Sequence, residues 1–234
     1  MSCAQTHKRY GIAVNQMREI PDATVSRLPI YRRSLMEIIL DGRSTVSSAD
    51  LADLAGFNAA KVRKDLSYLG TYGVRGVGYE AKLLLSQIDN ALGLGIEAPV
   101  VIVGMGNLGQ ALARYGGFQS KGFPIVALVD ASEEIVGGDV DGIPVSHYDD
   151  LEKTIEEKGI TVGIIATPAD AAQMVSDALV KAGVRSILTF APTVLSVPDS
   201  VPVRHVDLAT ELQILGYYQH RGVADQDAST DRTA

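Results

Sequence analysis

Several structural classes are excluded by what this 234-residue sequence lacks. It has a single cysteine, Cys3, so it can form neither an internal disulfide framework nor a thiolate metal site. Its apolar runs, such as Val100–Val103, are far shorter than the roughly 20 residues that span a bilayer. The polar start also lacks the apolar segment of a signal peptide. These absences predict a cytoplasmic protein with no metal centre and no membrane association.

Positive charge is scarce overall but is not evenly distributed. The net charge of −7 by itself argues weakly against binding to nucleic acid. Residues 1–90, however, carry 12 Lys and Arg against 9 Asp and Glu, whereas residues 91–234 carry 9 against 19. A mildly basic first part joined to an acidic remainder is typical of a small DNA-binding module attached to an acidic ligand-binding domain.

Apolar residues recur at helical spacing in the first part of the chain, after a polar start. Residues 1–25 lack this spacing and are predicted to form a flexible tail, whereas residues 26–92 are predicted to form a compact module. Three helices are expected there, with the second opened by a capping box through Asp50. The predicted helices begin near Ser26, at Ser47 or Ser48, and after the cap Asn58.

The third helix is followed by a glycine-rich segment, Thr71–Glu80, which predicts a short β-hairpin, and then by a helix over about Ala81–Leu92. Three short helices and a hairpin describe a winged helix, in which the third helix lies in the major groove. A solvated basic face is the alternative interpretation, but the helix–turn–helix layout with Gly56 in the turn favours DNA. The candidate DNA contacts are Lys61, Arg63, Lys64, Ser67 and Tyr68 on the helix and Arg75 in the hairpin.

From Ala98 onward, short apolar strands alternate with amphipathic helices. This alternation predicts an α/β fold with a doubly wound, Rossmann-like parallel sheet over residues 98–207. A last helix, Leu208–Gln219, is expected within residues 208–220, and residues 221–234 are predicted to be a flexible tail. The expected strands are Val100–Val103, Ile125–Val129, Val162–Ala166, Ile187–Phe190 and Val201–His205, and the expected helices are Leu108–Gly116, Leu151–Lys158 and Ala169–Ala182.

A GxGxxG motif directly follows the first of these strands and opens a helix, which is the context that a dinucleotide-binding turn requires. The free N–H groups of the helix can then bind a pyrophosphate. Asp130 ends the next strand, 21 residues after Gly109, where a carboxylate binds the adenosine ribose and repels a 2′-phosphate. This pattern predicts NAD(H) rather than NADP(H), with a purely structural glycine turn as the alternative. The loop residues are Gly104, Met105, Gly106, Asn107, Leu108 and Gly109.

Two later strands end in segments that are placed to contact a ligand. In open α/β sheets, ligands bind beyond the carboxyl ends of the strands. Thr167 and Pro168 follow one strand, and Phe190, Ala191 and Pro192 end and follow another. Both segments can frame a nicotinamide or its ribose, and an ordinary proline-containing loop is nearly as good an interpretation of each.

Three blocks of sequence resemble the Rex family of bacterial redox-sensing repressors: Val62–Tyr79 (VRKDLSYLGTYGVRGVGY), Val103–Tyr115 (VGMGNLGQALARY) and Phe190–Pro198 (FAPTVLSVP). The resemblance extends over nearly all of the chain from Ile20 to His220. It implies a homodimer that binds a palindromic double-stranded DNA operator when NADH is low, is released by NADH, and is permitted to bind by NAD+. It also implies that the C-terminal helix is swapped into the partner subunit.

The resemblance further implies a switch made of Arg33, Tyr115 and Asp207, whose contact holds the DNA-competent state. Tyr115 is also expected to contact the ligand. The sequence departs from the pattern at Leu208, where some relatives carry an aromatic residue near the nicotinamide, so stacking of that kind is not expected here.

Two other functions are compatible with a dinucleotide-binding sheet. One is a small NAD-dependent dehydrogenase, but hydride transfer needs a substrate pocket and usually an acid or base beside the nicotinamide. None of the four histidines lies in such a setting, and no substrate domain fits after the sheet, so the chain is predicted not to be an enzyme. The other is a regulator that senses a different nucleotide, such as coenzyme A or an adenine nucleotide.

Overall fold

The structure, a computed structural model, describes residues 20–70 and 73–230, and only the backbone of residues 221–230. The chain divides into two compact units, with the boundary between Ile96 and Glu97. Each unit has a hydrophobic core of its own, one in the first unit and one on each face of the sheet in the second.

The described part of the first unit consists of helices and one two-stranded sheet. The helix that the sequence predicted to begin near Ser26 spans Leu28–Leu40, and its apolar side chains Leu28, Tyr31 and Leu35 are fully buried. They pack in one core with Leu66 of the helix Ala59–Tyr68. In chain order the elements are α1 (Asp22–Val25), α2 (Leu28–Leu40), β1 (Thr45–Val46), α3 (Ser48–Ala55), α4 (Ala59–Tyr68), β2 (Tyr79–Glu80) and α5 (Ala81–Ala91).

The helix–turn–helix formed by α3 and α4 is bounded by the caps that the sequence predicted. The Ser47 hydroxyl accepts a hydrogen bond from the Asp50 N–H, and the Asp50 carboxylate accepts one from the Ser47 N–H. Gly56 ends α3 in the left-handed conformation, with φ +73°. The Asn58 side chain then accepts a hydrogen bond of 2.8 Å from the Lys61 N–H. Local chemistry therefore determines where α4 begins.

The prediction of a flexible tail over residues 1–25 is wrong for its last part. Residues 22–25 form α1, and Thr24 is buried because its hydroxyl donates a hydrogen bond of 2.9 Å to Asp65 on α4. This contact joins residues that are 41 positions apart, so no local sequence pattern predicts it. Residues 1–19 lie outside the described residues.

The predicted hairpin is present in a minimal form. Val74 and Gly78 exchange two backbone hydrogen bonds of 2.8 Å, and Thr71 and Tyr72 lie outside the described residues. The chain then continues into β2, which pairs antiparallel with β1. The sequence did not predict β1, because a strand of two residues is too short to show alternation.

The second unit is built on a seven-stranded sheet with the order β5–β6–β4–β3–β7–β8–β9. All neighbouring strands are parallel except β5, an edge strand that pairs antiparallel with β6. The six parallel strands follow the order of a dinucleotide-binding sheet. The strands are β3 (Val100–Val103), β4 (Ile125–Asp130), β5 (Asp139–Val140), β6 (Ile143–His147), β7 (Val162–Ile165), β8 (Ser186–Thr189) and β9 (Val203–His205).

The β5–β6 hairpin is a second element that the sequence analysis missed. Asp141 and Gly142 form its two-residue turn, and both have positive φ, at +55° and +81°. Such a turn strongly favours an Asp-Gly pair. The dipeptide was therefore a usable signal, although β5 is too short and β6 too interrupted by Pro144 to show clear alternation.

Helices cover both faces of the sheet. The covering helices are α6 (Asn107–Ala113), α7 (Leu151–Lys158) and α8 (Ala169–Lys181), and α9 (Leu208–Thr230) follows the last strand. Successive residues of β3 alternate between two cores, since Val101 and Val103 pack with α7 and α8, while Ile102 packs with α6. The near-continuous apolar strands of the sequence are explained by this two-sided burial.

The last helix, α9, continues to Thr230, beyond the predicted end at Gln219. The prediction of a tail over residues 221–234 is thus corrected for residues 221–230, whose backbone is helical. No proline interrupts this stretch, and a glycine inside a helix costs only about 1 kcal/mol. Five apolar side chains of α9 are more than half exposed: Leu208, Leu212, Leu215, Tyr217 and Tyr218. Among the described residues, no helix is long and apolar enough to cross a membrane.

Candidate functional site

The three glycines of the GxGxxG motif have three different environments. Gly104 has φ +97°, and a Cβ there would lie 2.8 Å from the carbonyl carbon of Ala166. A Cβ on Gly109 would collide with the carbonyl oxygen of Gly104, so this glycine permits close packing of α6 on the sheet. A Cβ on Gly106 would meet no atom of the described residues within 4 Å. The loop is therefore tight against the sheet at its ends and open at its middle glycine.

Asp130, the predicted ribose-binding acid, also stabilises this loop. One carboxylate oxygen accepts a hydrogen bond of 2.5 Å from the Met105 N–H, and the other accepts one of 2.8 Å from the Ser132 N–H. The Gln110 side chain donates to the Met105 carbonyl at 3.0 Å. Each carboxylate oxygen can accept more than one hydrogen bond, so Asp130 retains capacity for a ligand hydroxyl.

The loop lies where the strand order reverses, between β3 and β7, which is the ligand-binding position in sheets of this kind. Thr167 lies two residues after the end of β7, and its methyl group is 2.9 Å from the place of a Cβ on Gly104. Its hydroxyl is buried and has no hydrogen-bond partner among the described residues. Buried polar atoms are normally satisfied, so this hydroxyl requires a partner from a bound molecule or a water.

The other predicted ligand residues surround the same end of the sheet. Phe190 donates its N–H to the Ile165 carbonyl at 2.9 Å, which fixes the end of β8 beside the end of β7. Ala191 is buried and Pro192 is exposed. Asn107, Leu108 and Pro168 are exposed, whereas the Met105 side chain is fully buried in the core, so only its backbone can face a ligand.

The segment after β8 is held by a residue that the sequence analysis did not identify. The Gln173 side chain donates to the Ser196 carbonyl and accepts from the Ser196 N–H, each at 2.9 Å. These two hydrogen bonds tie the segment beyond Pro192 to α8. The sequence offered no signal for them, because Gln173 lies on an exposed helix face 23 residues earlier.

Tyr115 does not join this cluster within the chain. It follows α6, and a helix of seven residues carries it about 10 Å away from the glycine loop. Its ring packs edge-on against Phe118, with 4.9 Å between the ring centroids. Tyr115 also lines a shallow pocket of about 350 Å³ beside Ile125 and Ile143, at the amino ends of β4 and β6. A role for Tyr115 in ligand binding remains a prediction.

The remaining switch residues lie in different units. Arg33 is exposed on α2 of the first unit. Asp207 precedes α9 in the second unit and caps it, since its carboxylate accepts hydrogen bonds from the Thr210 hydroxyl at 2.8 Å and from the Ala209 and Thr210 N–H groups. The Thr210 hydroxyl is the largest cause of a lowered pKa of Asp207. Asp207 therefore has a structural role whatever it does in a switch.

The predicted DNA contacts lie on one side of α4 and in the hairpin. Lys61, Arg63 and Lys64 are exposed, and so is Arg75 between Val74 and Gly78. The Arg63 guanidinium donates a hydrogen bond of 3.0 Å to the Ser48 hydroxyl at the start of α3. Ser67 and Tyr68 are half-buried, and the Ser67 hydroxyl donates to the Lys64 carbonyl. All four positive charges among the predicted DNA contacts, three on α4 and one at the hairpin, are thus exposed.

A buried carboxylate on the opposite side of α4 was also missed. The Asp65 side chain is 2% exposed and forms an ion pair with Arg27 at 2.7 Å. Burial acts to raise the pKa of Asp65, but hydrogen bonds from Arg27, Tyr31 and Thr24 outweigh it and leave the pKa lowered. A signal existed, since Asp65 lies three residues after Val62 on the buried face of α4. Burial also raises the pKa of the Tyr31 hydroxyl, which donates to this carboxylate.

No group of three or more His, Cys, Asp or Glu residues in the described part of the chain is arranged to hold a metal ion. The donors that the site does present are backbone N–H groups, hydroxyls and a carboxylate. These suit the phosphates and sugars of a nucleotide.

The fold and the site together define a class of protein: a ligand-responsive regulator that joins a helix–turn–helix unit to a sheet of dinucleotide-binding order. Comparisons with known proteins identify the family. Residues 19–67 match the family described as "Putative DNA-binding protein N-terminus", and residues 73–193 match the one described as "CoA binding domain". The chain belongs to the Rex family of redox-sensing transcriptional repressors.

Two relatives show the extent of the similarity. The redox-sensing transcriptional repressor Rex of Streptomyces coelicolor is 57% identical over 217 residues, which cover 93% of this chain and 84% of the relative. Rex of Streptomyces avermitilis is 54% identical over 229 residues, 98% of this chain and 89% of the relative. These relatives are named as repressors, which agrees with the prediction that the chain is not an enzyme.

Solved structures of a Rex-family repressor, RSP, have the same fold. The crystal structure of RSP in complex with β-NAD+ and operator DNA matches with a TM-score of 0.82 and 32% identity, over 90% of this chain and 97% of that one. The structure of RSP in complex with β-NADH matches with a TM-score of 0.79 and 31% identity, over 89% and 98%. The predicted α/β fold with an N-terminal DNA-binding domain is therefore confirmed.

Proposed function

We propose that this repressor binds a palindromic operator as a homodimer when NADH is low and dissociates from it when NADH binds, with NAD+ permitting binding. The observation that carries this proposal is the likeness of the whole chain to RSP, whose structures contain β-NAD+ with operator DNA in one case and β-NADH in another. Operator DNA lies in the bacterial cytoplasm, and the proposed site of action is therefore the cytoplasm.

Each function is assigned to one part of the chain. DNA binding is assigned to the winged helix, now extended to residues 22–92, and nucleotide binding to residues 98–207. Dimerisation is assigned to α9, because its leucines Leu208, Leu212 and Leu215 are more than half exposed and can pack against a second subunit. In the proposed dimer this helix is swapped into the other subunit. Two recognition helices in a symmetric dimer explain a palindromic operator, because each half-site meets the same surface.

The residues of the second unit fit a nicotinamide dinucleotide. The open face of Gly106 allows a pyrophosphate to approach the backbone, and Thr167 supplies a hydroxyl that has no partner among the described residues. Asp130 selects against a 2′-phosphate, so NAD(H) is preferred to NADP(H). The signal that the nucleotide supplies is its charge, since the oxidised nicotinamide ring is positive and the reduced ring is neutral. A neutral ring enters an apolar pocket at lower cost.

A coenzyme A or adenine nucleotide ligand is the second candidate, and the match to the "CoA binding domain" family favours it. Titration calorimetry with NADH, NAD+, coenzyme A and ADP at equal concentrations separates the two. We expect NADH to bind most tightly. Tighter binding of coenzyme A than of NADH would replace the proposed ligand, and a gel shift with each compound would then show which of them releases operator DNA.

The proposal predicts a specific effect of Gly106→Val. The variant should bind operator DNA with wild-type affinity but should no longer be released by NADH, because the valine side chain would occupy the path of the pyrophosphate. The space at Gly106 is open and its φ is −65°, so the substitution does not strain the protein itself. Gel shifts over a range of NADH concentrations measure the release.

Two comparisons make this test specific. Gly106→Ala adds only a methyl group and should shift the NADH concentration for release by less than Gly106→Val does. The urea unfolding midpoint of both variants should equal that of the wild type. Dissociation of the Gly106→Val complex at the wild-type NADH concentration would show that the motif is structural and that the ligand binds elsewhere.

A further inference from the structure

The recognition helix carries a carboxylate that faces away from the DNA side. Asp65 is 2% exposed, and its two oxygens accept four hydrogen bonds from three residues that precede or lie in α2. The Thr24 hydroxyl and the Arg27 Nη2 donate to Oδ1 at 2.9 and 2.8 Å. The Arg27 Nε and the Tyr31 hydroxyl donate to Oδ2, each at 2.7 Å. All four donors thus come from one short stretch of chain, residues 24–31.

This arrangement restricts α4 more than its apolar contacts do. Val62 and Leu66 attach the helix to the core, but apolar contacts have no directional preference and tolerate repacking. The Arg27–Asp65 pair is bidentate, with two parallel N–H···O bonds, and such a pair fixes orientation as well as distance. Removing either partner would leave a buried or half-buried charge, so the pair is maintained in the folded unit.

Rotation of α4 about its axis matters because two of the predicted DNA contacts, Arg63 and Ser67, extend from the side of the helix opposite to Asp65. A rotation of about 20° moves a point at the helix rim, about 5 Å from the axis, by about 2 Å. A hydrogen bond to a base edge tolerates only a few tenths of an ångström. Arg63, the predicted base contact two residues before Asp65, therefore reaches a base pair in register only if the Asp65 contacts hold.

We propose that Asp65 is a positioning residue for DNA recognition: held by Thr24, Arg27 and Tyr31, it fixes the rotation of α4 and so the discrimination between operator and other DNA. The proposal rests on the proposed function of DNA binding and assigns a role to residues outside the DNA-facing surface. The expected effect is on the discrimination between operator and other DNA rather than on overall affinity, because contacts to phosphates tolerate small displacements better than contacts to bases do.

Arg27→Lys tests this proposal without removing the charge that balances Asp65. Lysine cannot form the two-pronged contact, so the orientation of α4 is loosened while the net charge is unchanged. The affinity for a selected palindromic operator is divided by the affinity for a scrambled duplex of the same length at the same salt concentration. We expect this ratio to fall about 10-fold, the value of one good base contact. Partial unfolding lowers both affinities equally and cannot change the ratio.

Thr24 provides a matched pair of variants with smaller effects. Thr24→Val removes the hydroxyl donor at nearly constant volume and should lower the ratio, whereas Thr24→Ser keeps the donor and should leave it near the wild-type value. An unchanged ratio in folded Arg27→Lys and Thr24→Val would overturn the proposal. Equal loss on both duplexes in a fully folded Arg27→Lys would also overturn it, since that result leaves discrimination unchanged and affects only sequence-independent binding.

Hydrogen exchange of the protein without DNA separates this proposal from the proposed function. In Arg27→Lys, the amides of α4 should exchange about tenfold faster than in the wild type, relative to the amides of α5 as an internal reference. Equal exchange in α4 contradicts the positioning role independently of DNA. Wild-type protein that fails to discriminate operator from scrambled duplex contradicts the proposed function instead, and that measurement comes before any variant.

Discussion

At the scale of single residues, the structure separates two glycines that the fold requires from one whose proposed role is to bind a ligand. Neighbouring backbone atoms leave no room for a side chain at Gly104 or Gly109. Gly104 also has a positive φ, which side-chain-bearing residues rarely adopt. Gly106 meets no such obstacle. The motif therefore needs glycine for two different reasons. Only a substitution at the middle position, Gly106, is expected to affect ligand binding without disturbing the fold.

The two basic neighbours on α4 are expected to contribute differently to DNA binding. Arg63→Ala should reduce discrimination among operator sequences by about 1–3 kcal/mol, because arginine makes bidentate contacts to guanine. Lys64→Ala should weaken binding to all sequences alike and reduce the salt slope by about one, as loss of a phosphate contact does. Binding to a panel of operator variants at several salt concentrations measures both effects.

Ser48 offers a control for this pair of substitutions. Its hydroxyl accepts a hydrogen bond from Arg63, so Ser48→Ala tests whether the arginine must be oriented in advance. Loss of discrimination in Arg63→Ala together with a smaller loss in Ser48→Ala fits base recognition by Arg63. Wild-type binding in both Arg63→Ala and Lys64→Ala would show that α4 is not the recognition helix.

At the scale of secondary-structure elements, the attachment of α4 to α1 and α2 predicts a pH dependence. The pKa of Asp65 is lowered in the folded unit by the hydrogen bonds that outweigh its burial. A carboxyl group whose pKa is lower in the folded state than in the unfolded state stabilises the fold above the unfolded pKa, near 4. That contribution is lost as the pH falls through the folded pKa, so the first unit should become less stable below about pH 4.

Asp65→Asn isolates this contribution from that of the other carboxylates. At pH 7 the variant should lose about 3 kcal/mol of the free energy of unfolding, the typical result of breaking a buried ion pair by changing one partner. The difference from the wild type should shrink between pH 4 and pH 2, because the wild-type carboxyl is then protonated too. Urea unfolding followed by circular dichroism at each pH gives both values, and a difference that is constant with pH would contradict the assignment.

At the scale of the whole molecule, the question is how nucleotide binding in one unit reaches the DNA-binding unit. A ligand can shift a conformational equilibrium only by its difference in affinity for the two states. The predicted carrier is a contact among Arg33, Tyr115 and Asp207 that NADH breaks, after which the two winged helices of a dimer lose the spacing of the half-sites. Asp207→Ala should therefore weaken operator binding even without NADH, while NADH affinity stays within a few fold.

The cap at the start of α9 makes further variants necessary. Asp207→Ala removes both the negative charge and the acceptor for the Ala209 and Thr210 N–H groups. Asp207→Asn keeps an acceptor without the charge, and Thr210→Val keeps the charge without the Thr210 hydroxyl. Weakened operator binding in Asp207→Asn but not in Thr210→Val would support the charge contact with Arg33. Gel shifts measure operator affinity and calorimetry measures NADH affinity on the same samples. If Asp207→Ala binds the operator normally and is released normally by NADH, other residues carry the coupling.

The sequence by itself determined the features that depend on neighbours in the chain. The caps of α3 and α4, the buried stripe of α2, the glycine loop after β3 and the alternation of strands and helices all follow from local chemistry or short-range periodicity. Specific blocks such as Val62–Tyr79 also predicted the family, which the comparisons confirm. Both partners of each cap lie within a few residues of one another, and the spacing of apolar residues along the chain shows which side of a helix or strand is buried.

Only the tertiary structure decided the features that join distant residues. Thr24 and Arg27 meet Asp65 across 41 and 38 positions, so the end of the predicted tail became part of the recognition unit. Within the described residues, the hydroxyl of Thr167 has no hydrogen-bond partner and the space beside Gly106 is open; both are properties of packing that no residue pattern encodes. The position of Tyr115 at the far end of α6 is decided in the same way. A pattern along the chain records which side chains are available, whereas the fold decides which of them meet and which are left without a partner.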